Sequence, residues 1–528
     1  MRRFWDRALS LVGIASLHNS ARHVALFALI LCLGCFARIW EFGTVPPGLS
    51  ADEASDGVEA MSLYRYGTDR NGESFPVRFI GWGSGQDALD SYVLIPLVAA
   101  AGLSPRVVRL PLLIAGILSL PLMYFVGRKL QGQTLGLLAM FLLAISPWHI
   151  VISRTGPEAD LLPFLFLLGF ACLLASKADN HWFIAACVFF GLGLYSYITS
   201  YLAIPLFLLL AVPPAYRAKR ISRRDLVAGI LLFLVLTAPA GLYVVVNTLN
   251  LPTIHVGPIT IPHLPSASRL QSDVAVFQPS PLRQLLINVG GFLSLLVTQS
   301  ESAYNQPGHG YLYNVTFPLV LAGIVLFLFR HDERLERRMI LAWLIAAVCV
   351  GVLIAPYLVH NNLLFMPLLV FGGVFLQWLM GWNKWVFALT LVAFLAGFVL
   401  FTDYYHGPAY KQQADREYFT GLLSALDYAR TSSGNPICVS RPKINEPYIF
   451  ALFSEQMAPS VSPEEIVYVN PEAQYREVSS VGRYFFGLEN CPPDSPNTYV
   501  LFFNELPPRA GRAFTVRQFD LFKVYILK

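Results

Sequence analysis

Carboxylates crowd one short stretch of this chain: Asp52, Glu53, Asp56 and Glu59 all fall within Pro46-Pro47-Gly48-Leu49-Ser50-Ala51-Asp52-Glu53-Ala54-Ser55-Asp56-Gly57-Val58-Glu59. An acid fixed at the start of a helix is well placed to act as a general base toward a hydroxyl. The same residues admit a structural reading. Ser50 with Glu53 has the spacing of a capping box, acids in a first turn complement the helix dipole, and Ala54, Val58 and Met61 make an apolar stripe for a helix lying on a membrane. A second acid, Asp160, closes the run Ser153-Arg154-Thr155-Gly156-Pro157-Glu158-Ala159-Asp160 just after Ser146-Pro147-Trp148-His149, and it too can serve as a helix cap. Arg154 can pair with that acid or bind a phosphate. His255, His263 and His309 lack metal-ligand spacing and read as loop residues. The chain has no nucleophile elbow, no P-loop and no Rossmann glycine pattern, so nucleotide chemistry finds no support.

The elements that must hold these residues are apolar. Of 528 residues 55% are hydrophobic and only 13% charged, and the mean hydropathy is +0.54. Soluble domains carry about 25% charged residues, so this composition excludes disorder, a disulfide-rich secreted module and most soluble enzymes. The net charge of +5 gives no reason to propose nucleic acid as a partner. Runs approaching membrane-crossing length fall near 24–41, 108–127, 134–152, 161–176, 181–198, 201–214, 226–246, 313–329, 339–356, 362–380 and 384–402, which predicts about eleven transmembrane helices. Two shorter stretches, Ala88 to Leu103 and Leu285 to Val297, read as interfacial or re-entrant helices.

Basic residues set the orientation. With the N-terminus in the cytoplasm, Arg2, Arg3, Arg7, Arg128, Lys129, Arg217, Lys219, Arg220, Arg223, Arg224, Arg330, Arg334, Arg337 and Arg338 share one side, while the opposite short loops hold little besides Arg154. The first span lacks a small-residue cleavage site and reads as a retained anchor. Domain organisation follows: a membrane body over 1–402, with outer loops at 43–106, 153–160 and 247–312, and an extracytoplasmic α/β domain over 403–528. In that domain the pattern predicts a helix near 412–430 and strands at 437–440, 499–503, 514–519 and 521–526. Cys438 and Cys491 are the two cysteines it contains, and a disulfide between them suits an oxidising compartment.

Several short motifs, in order, resemble those of bacterial GT-C glycosyltransferases, the group that includes protein O-mannosyltransferases and the aminoarabinose transferase acting on lipid A. They are Pro46-Pro47-Gly48-Leu49 with Asp52-Glu53-Ala54, Gly57 and Ala60; Arg109-Leu110-Pro111; Gly127-Arg128-Lys129-Leu130; Ser146-Pro147-Trp148-His149 with Ser153-Arg154; and Gly191-Leu192-Gly193-Leu194-Tyr195-Ser196-Tyr197. The resemblance covers roughly residues 40–400 and implies a GT-C fold, a polyprenyl-phosphate-linked sugar as donor, and an acceptor on the outer side of the membrane: a glycan, a glycolipid or a protein hydroxyl. It implies that Asp52 deprotonates the acceptor or helps bind a divalent cation (Mg or Mn), with Glu53 as its partner, and that Asp160 is the second-loop acid of some members. The chain departs from the pattern at Gln86-Asp87-Ala88-Leu89-Asp90-Ser91-Tyr92, where relatives often carry a phosphate-binding lysine, and at His360-Asn361-Asn362, where they often carry an arginine. Donor phosphate contacts are then expected from Arg154, Arg109, Arg78 and Arg269.

The chemistry is consistent with one acid cluster. A glycosidic oxygen leaves poorly without a proton, whereas a lipid phosphate leaves as a stable anion, so one base and cationic contacts suffice. An inverting transfer is the leading expectation. An oligosaccharide ligase using a diphosphate-linked glycan, and a transporter or flippase of lipid-linked sugars, remain open beside it. The transporter reading has against it the near absence of charge within spans and of internal repeats.

Overall fold

A computed structural model describes residues 21–156, 158–178, 181–265, 274–297, 310–313, 315–329, 334–458, 462–473, 475–493, 495–508 and 513–527. Its first helix, α1 (Ala21–Ile39), leads through a loop to α2 (Ala51–Tyr66), α3 (Leu89–Ala101) and α4 (Pro105–Gln131). The body continues with α5 (Gln133–Ile145), α6 (Pro147–Ile152), α7 (Leu161–Ala175), α8 (Trp182–Gly193), α9 (Ser200–Arg217) and α10 (Arg223–Thr248). After the hairpin β1 (Ile254–Val256) and β2 (Ile259–Ile261) come α11 (Pro281–Val297), α12 (Thr316–Phe329), α13 (Leu335–Leu353), α14 (Asn362–Trp382) and α15 (Lys384–His406). Helix occupies most of each expected span, and against the eleven spans expected six of the described helical segments are long and apolar enough to cross a membrane: Ala21–Ile39, Pro105–Gln131, Ser200–Arg217, Arg223–Thr248, Val359–Trp382 and Lys384–His406. The span expected at 134–152 is two helices, because Pro147 brings no N–H and starts α6 afresh after the extended residue Ser146. Small residues let helices meet backbone to backbone. A Cβ on Gly127 would stand 2.8 Å from Leu135 O, so α4 and α5 close tightly on this pair of turns.

The chain then forms α16 (Pro408–Glu417), α17 (Leu422–Ser432), β3 (Ile437–Val439), α18 (Pro447–Ser454), β4 (Ile466–Tyr468), β5 (Val478–Val481), β6 (Tyr484–Phe486), β7 (Thr498–Phe502), β8 (Phe514–Phe519) and β9 (Phe522–Leu527). One mixed sheet results, in the order β4-β5-β6-β3-β7-β9-β8, with β3 parallel to both β6 and β7. The expected helix over 412–430 divides at Gly421, whose φ of +90° is open to glycine and whose missing Cβ makes room for Phe519 O. Four strands lie where alternation placed them, whereas β4, β5 and β6 are short and carry weak patterns. Cys438 and Cys491 form the disulfide, Cα to Cα 5.9 Å.

The apolar stripe of α2 corrects one expectation. Ala54, Val58 and Met61 do not lie on a membrane surface; they enter a core with Leu422, Leu426, Ile449 and Phe453 of the C-terminal domain. Twelve of the sixteen α2 residues are buried, so the acidic loop is built into that domain's floor.

Candidate active site

Ser50 and Glu53 form the capping box that the sequence suggests: Glu53 N–H donates to Ser50 Oγ at 3.2 Å, and Ser50 N–H to Glu53 Oε2 at 2.9 Å. Glu53 is fully buried, and Arg109 at the start of α4 completes its set of partners. Arg109 Nε donates to Oε1 at 2.6 Å and Nη2 to Oε2 at 3.0 Å, while Nη1 reaches Pro46 O at 2.8 Å. The fork also reaches Gly48 O at 3.1 Å and stacks on Tyr418. Glu53 and Arg109 therefore cinch the 46–50 loop onto α4.

Asp52, one residue earlier, is half-buried and differs in kind. Its Oδ1 accepts a single 3.3 Å bond from Trp82 Nε1, and its other oxygen has no protein partner among the described residues. In the acidic cluster of α2 this is the carboxylate left available for chemistry. Asp56 takes hydrogen bonds from Gln86 and Ser91, and Glu59 is paired with Arg70 at 3.2 Å.

Asp160 stands immediately before α7 and is buried. Its Oδ1 accepts from Asn362 Nδ2 at 2.9 Å, Asn362 Oδ1 accepts from Trp148 Nε1 at 2.9 Å, and Thr155 Oγ approaches Oδ2 at 3.5 Å. Burial holds the Asp160 carboxyl well above the usual carboxylate range, the bonds from Asn362 and Thr155 acting in the opposite direction and the Glu53 charge adding to it. Asn362 thus serves Asp160 from the segment where the resembling family often carries an arginine. Gly156 brings this loop against the first, since a Cβ there would lie 3.2 Å from Glu53 Cγ. The structure brings Glu53 and Asp160 near each other, with Asp52 next to Glu53 in sequence but turned to Trp82, and Asp160 faces a cavity with Trp148, Ile152, Tyr311 and Val359.

Three of the arginines expected to meet a donor phosphate have protein partners in this structure. Arg154 is fully buried and spends its fork on the last carbonyls of α1 and the following loop, Ala37, Arg38, Trp40 and Val45. Arg78 is ion-paired with Asp87 at 2.7 Å and lies over Tyr243, and Arg109 is bound to Glu53. Desolvated cations need such partners, and these three shape the loops. Arg269 lies outside the described residues.

The donor set does not fit a divalent cation held by Asp52 and Glu53. Both Glu53 oxygens are committed to Arg109 and Ser50, and among the described residues no three His, Cys, Asp or Glu side chains gather as a ligand group. Sequence reasoning passed over Arg70, Trp82 and Arg476, which surround Asp52 at one remove. The signal available was modest: a turn sequence, Asp69-Arg70-Asn71-Gly72, and a lone tryptophan between glycines Gly81 and Gly83.

A helical membrane body whose first loop carries the acid cluster is thus capped by a C-terminal α/β domain packed on that loop. Residues 91–243 match the family described as dolichyl-phosphate-mannose-protein mannosyltransferase. ArnT from Cupriavidus metallidurans in the apo state aligns over 95% of this chain and 97% of its own, with a TM-score of 0.55 at 13% identity. The same protein bound to undecaprenyl phosphate aligns over the same shares, with a TM-score of 0.53 at 14% identity. The apo oligosaccharyltransferase of Archaeoglobus fulgidus aligns over 84% of this chain with a TM-score of 0.50 at 13% identity, and the chain spans only 64% of its length. A search of curated protein sequences gives no match. These likenesses bear out the expected GT-C fold, a helical membrane body with a C-terminal α/β domain.

Proposed function

We propose that this chain is a membrane glycosyltransferase that moves a sugar from a polyprenyl-phosphate donor to an acceptor on the face that carries the C-terminal domain, with inversion at the anomeric carbon. The observation that carries the reading is Asp52, which is half-buried where Glu53, Asp56 and Glu59 are buried, and which takes a single hydrogen bond among the described residues. It stands in a fold shared over nearly its whole length with a protein whose structure holds undecaprenyl phosphate. Asp52 takes the proton from the acceptor hydroxyl as that oxygen attacks the anomeric carbon. The bond from that carbon to the phosphate oxygen breaks, and its electron pair leaves with the lipid phosphate. Asp160, whose carboxyl burial pushes well above the usual carboxylate range, offers a hydrogen-bonding group to the reacting sugar.

The N-terminus is placed in the cytoplasm on this reading, with the C-terminal domain outside. The basic loops support it by meeting at one end: Arg334 Nη1 donates to Leu130 O, and Arg220 pairs with Glu336. An acceptor glycan, glycolipid or protein hydroxyl each presents the nucleophile required, and membrane lipid surrounds the body.

The test uses purified protein in detergent with polyprenyl-phosphate sugars extracted from its native membranes and a cell-envelope acceptor extract. Sugar transfer with release of polyprenyl monophosphate and an inverted linkage is expected. A lipid diphosphate as sole product would instead identify an oligosaccharide ligase, and movement of intact donor across vesicles without glycosylated product a transporter.

A further inference from the structure

We infer that the C-terminal domain sets the position of the Asp52 carboxylate through Trp82, making Trp82 a positioning residue; this rests on Asp52 being the base of the reaction proposed above. Glu53 is locked by Arg109 and Ser50, but among the described residues Asp52 has only the Trp82 indole as a hydrogen-bond partner to fix its rotamer. A base must be held within about 0.5 Å of its productive place. The indole supplies direction without a counter-charge, so the carboxylate keeps its capacity to accept a proton.

Trp82 is itself 5% exposed and held on two sides. On its face lies the Arg70 guanidinium, 4.5 Å from the ring centroid, which draws electron density from the indole and makes its N–H a better donor. Arg70 is anchored from α2 by Glu59 and by Ser55 Oγ. On its edge stands Tyr448 of α18, at 6.2 Å and 89°.

The backbone of Trp82 is clamped by the C-terminal domain. Arg476 N–H donates to Trp82 O at 2.8 Å, Gly83 bridges Tyr475, and Arg476 Nη2 donates to both Gly81 O and Asn71 Oδ1. The Arg476 guanidinium is in turn stacked on Tyr468 at 4.4 Å. A segment nearly four hundred residues downstream of that loop thereby fixes the loop that fixes the base.

The experiment compares Trp82→Phe and Arg476→Ala with the parent in the lipid-linked-sugar assay described above, using the same extracted donor lipids. Trp82→Phe keeps an aromatic ring beside Arg70 and removes the N–H donor together with one of the two fused rings, so kcat should fall about tenfold with the donor KM unchanged, since misplacement of a reacting group costs rate rather than binding. Arg476→Ala leaves Trp82 intact and loosens its loop, and a smaller fall in kcat, again at constant KM, is expected. Placed in the Asp52→Asn background, neither change should lower the residual rate further. An unchanged kcat in both variants, or the same fold loss persisting without the Asp52 carboxylate, overturns the positioning role while leaving the proposed base in place. Full activity of Asp52→Asn alone would instead remove the base assignment itself.

Discussion

Asp52 and Glu53 are neighbours with opposite fates, and the difference comes from what each side chain meets. Glu53 faces the α4 guanidinium of Arg109 and is spent on architecture, so Glu53→Ala should leave a buried, unpaired cation and cost about 3–5 kcal/mol. Replacing both partners by apolar residues of similar size should recover much of that stability in thermal unfolding; no recovery would contradict the pairing as the cause. Asp69, in the turn beside Trp82, carries a different consequence. Burial first, and Glu59 next, push its carboxyl up to about 8, against the backbone N–H groups of Glu73 and Asn71 and the charge of Arg70. The folded chain then holds a proton that the unfolded chain releases above about pH 4. The stabilisation is full below that value and is lost as pH rises toward about 8. Asp69→Asn should flatten the decline of Tm between about pH 4 and about pH 8, and an unaltered slope would contradict this assignment. At this scale the acid cluster was legible from residue type and spacing, as was the capping box. The engagement of Arg109 and Arg154 was not, because nothing local tells an arginine that meets a ligand from one that meets carbonyls distant in sequence.

The loop before α2 and the break before α17 are one joint. Gly48 has φ +70°, and a Cβ there would sit 2.0 Å from Tyr418 O, the same oxygen that accepts from Leu49 N–H at 2.8 Å. Gly48→Ala should therefore displace the Tyr418 backbone, lower Tm by several degrees and reduce transfer, because the α2 start moves with it. Wild-type Tm and rate would show that this contact does not hold the site. Helix positions in the membrane body were readable because lipid-length apolar runs leave few alternatives. The division of 412–430 was not, since Gly421 is required by Phe519 O, a contact about a hundred residues away.

Across the whole molecule, the sequence suggests a change of character at 402, yet the apolar core beyond that point contains Leu49, Ala54, Val58, Leu94 and Val108. The composition shift marks where water replaces lipid, not where packing ends. A chain ending at 402 should expose the faces of α2 and α3, aggregate in detergent and lose transfer; a monodisperse, active truncation would contradict a shared core. The central claim is that Asp52 is the base of a lipid-phosphate-sugar transfer. Its most direct measurement is single-turnover transfer from polyprenyl-phosphate sugar by Asp52→Asn, with undecaprenyl phosphate binding followed in parallel. A rate loss on the order of a thousandfold, with binding retained, is expected for removal of a general base. A rate equal to that of the parent would contradict it.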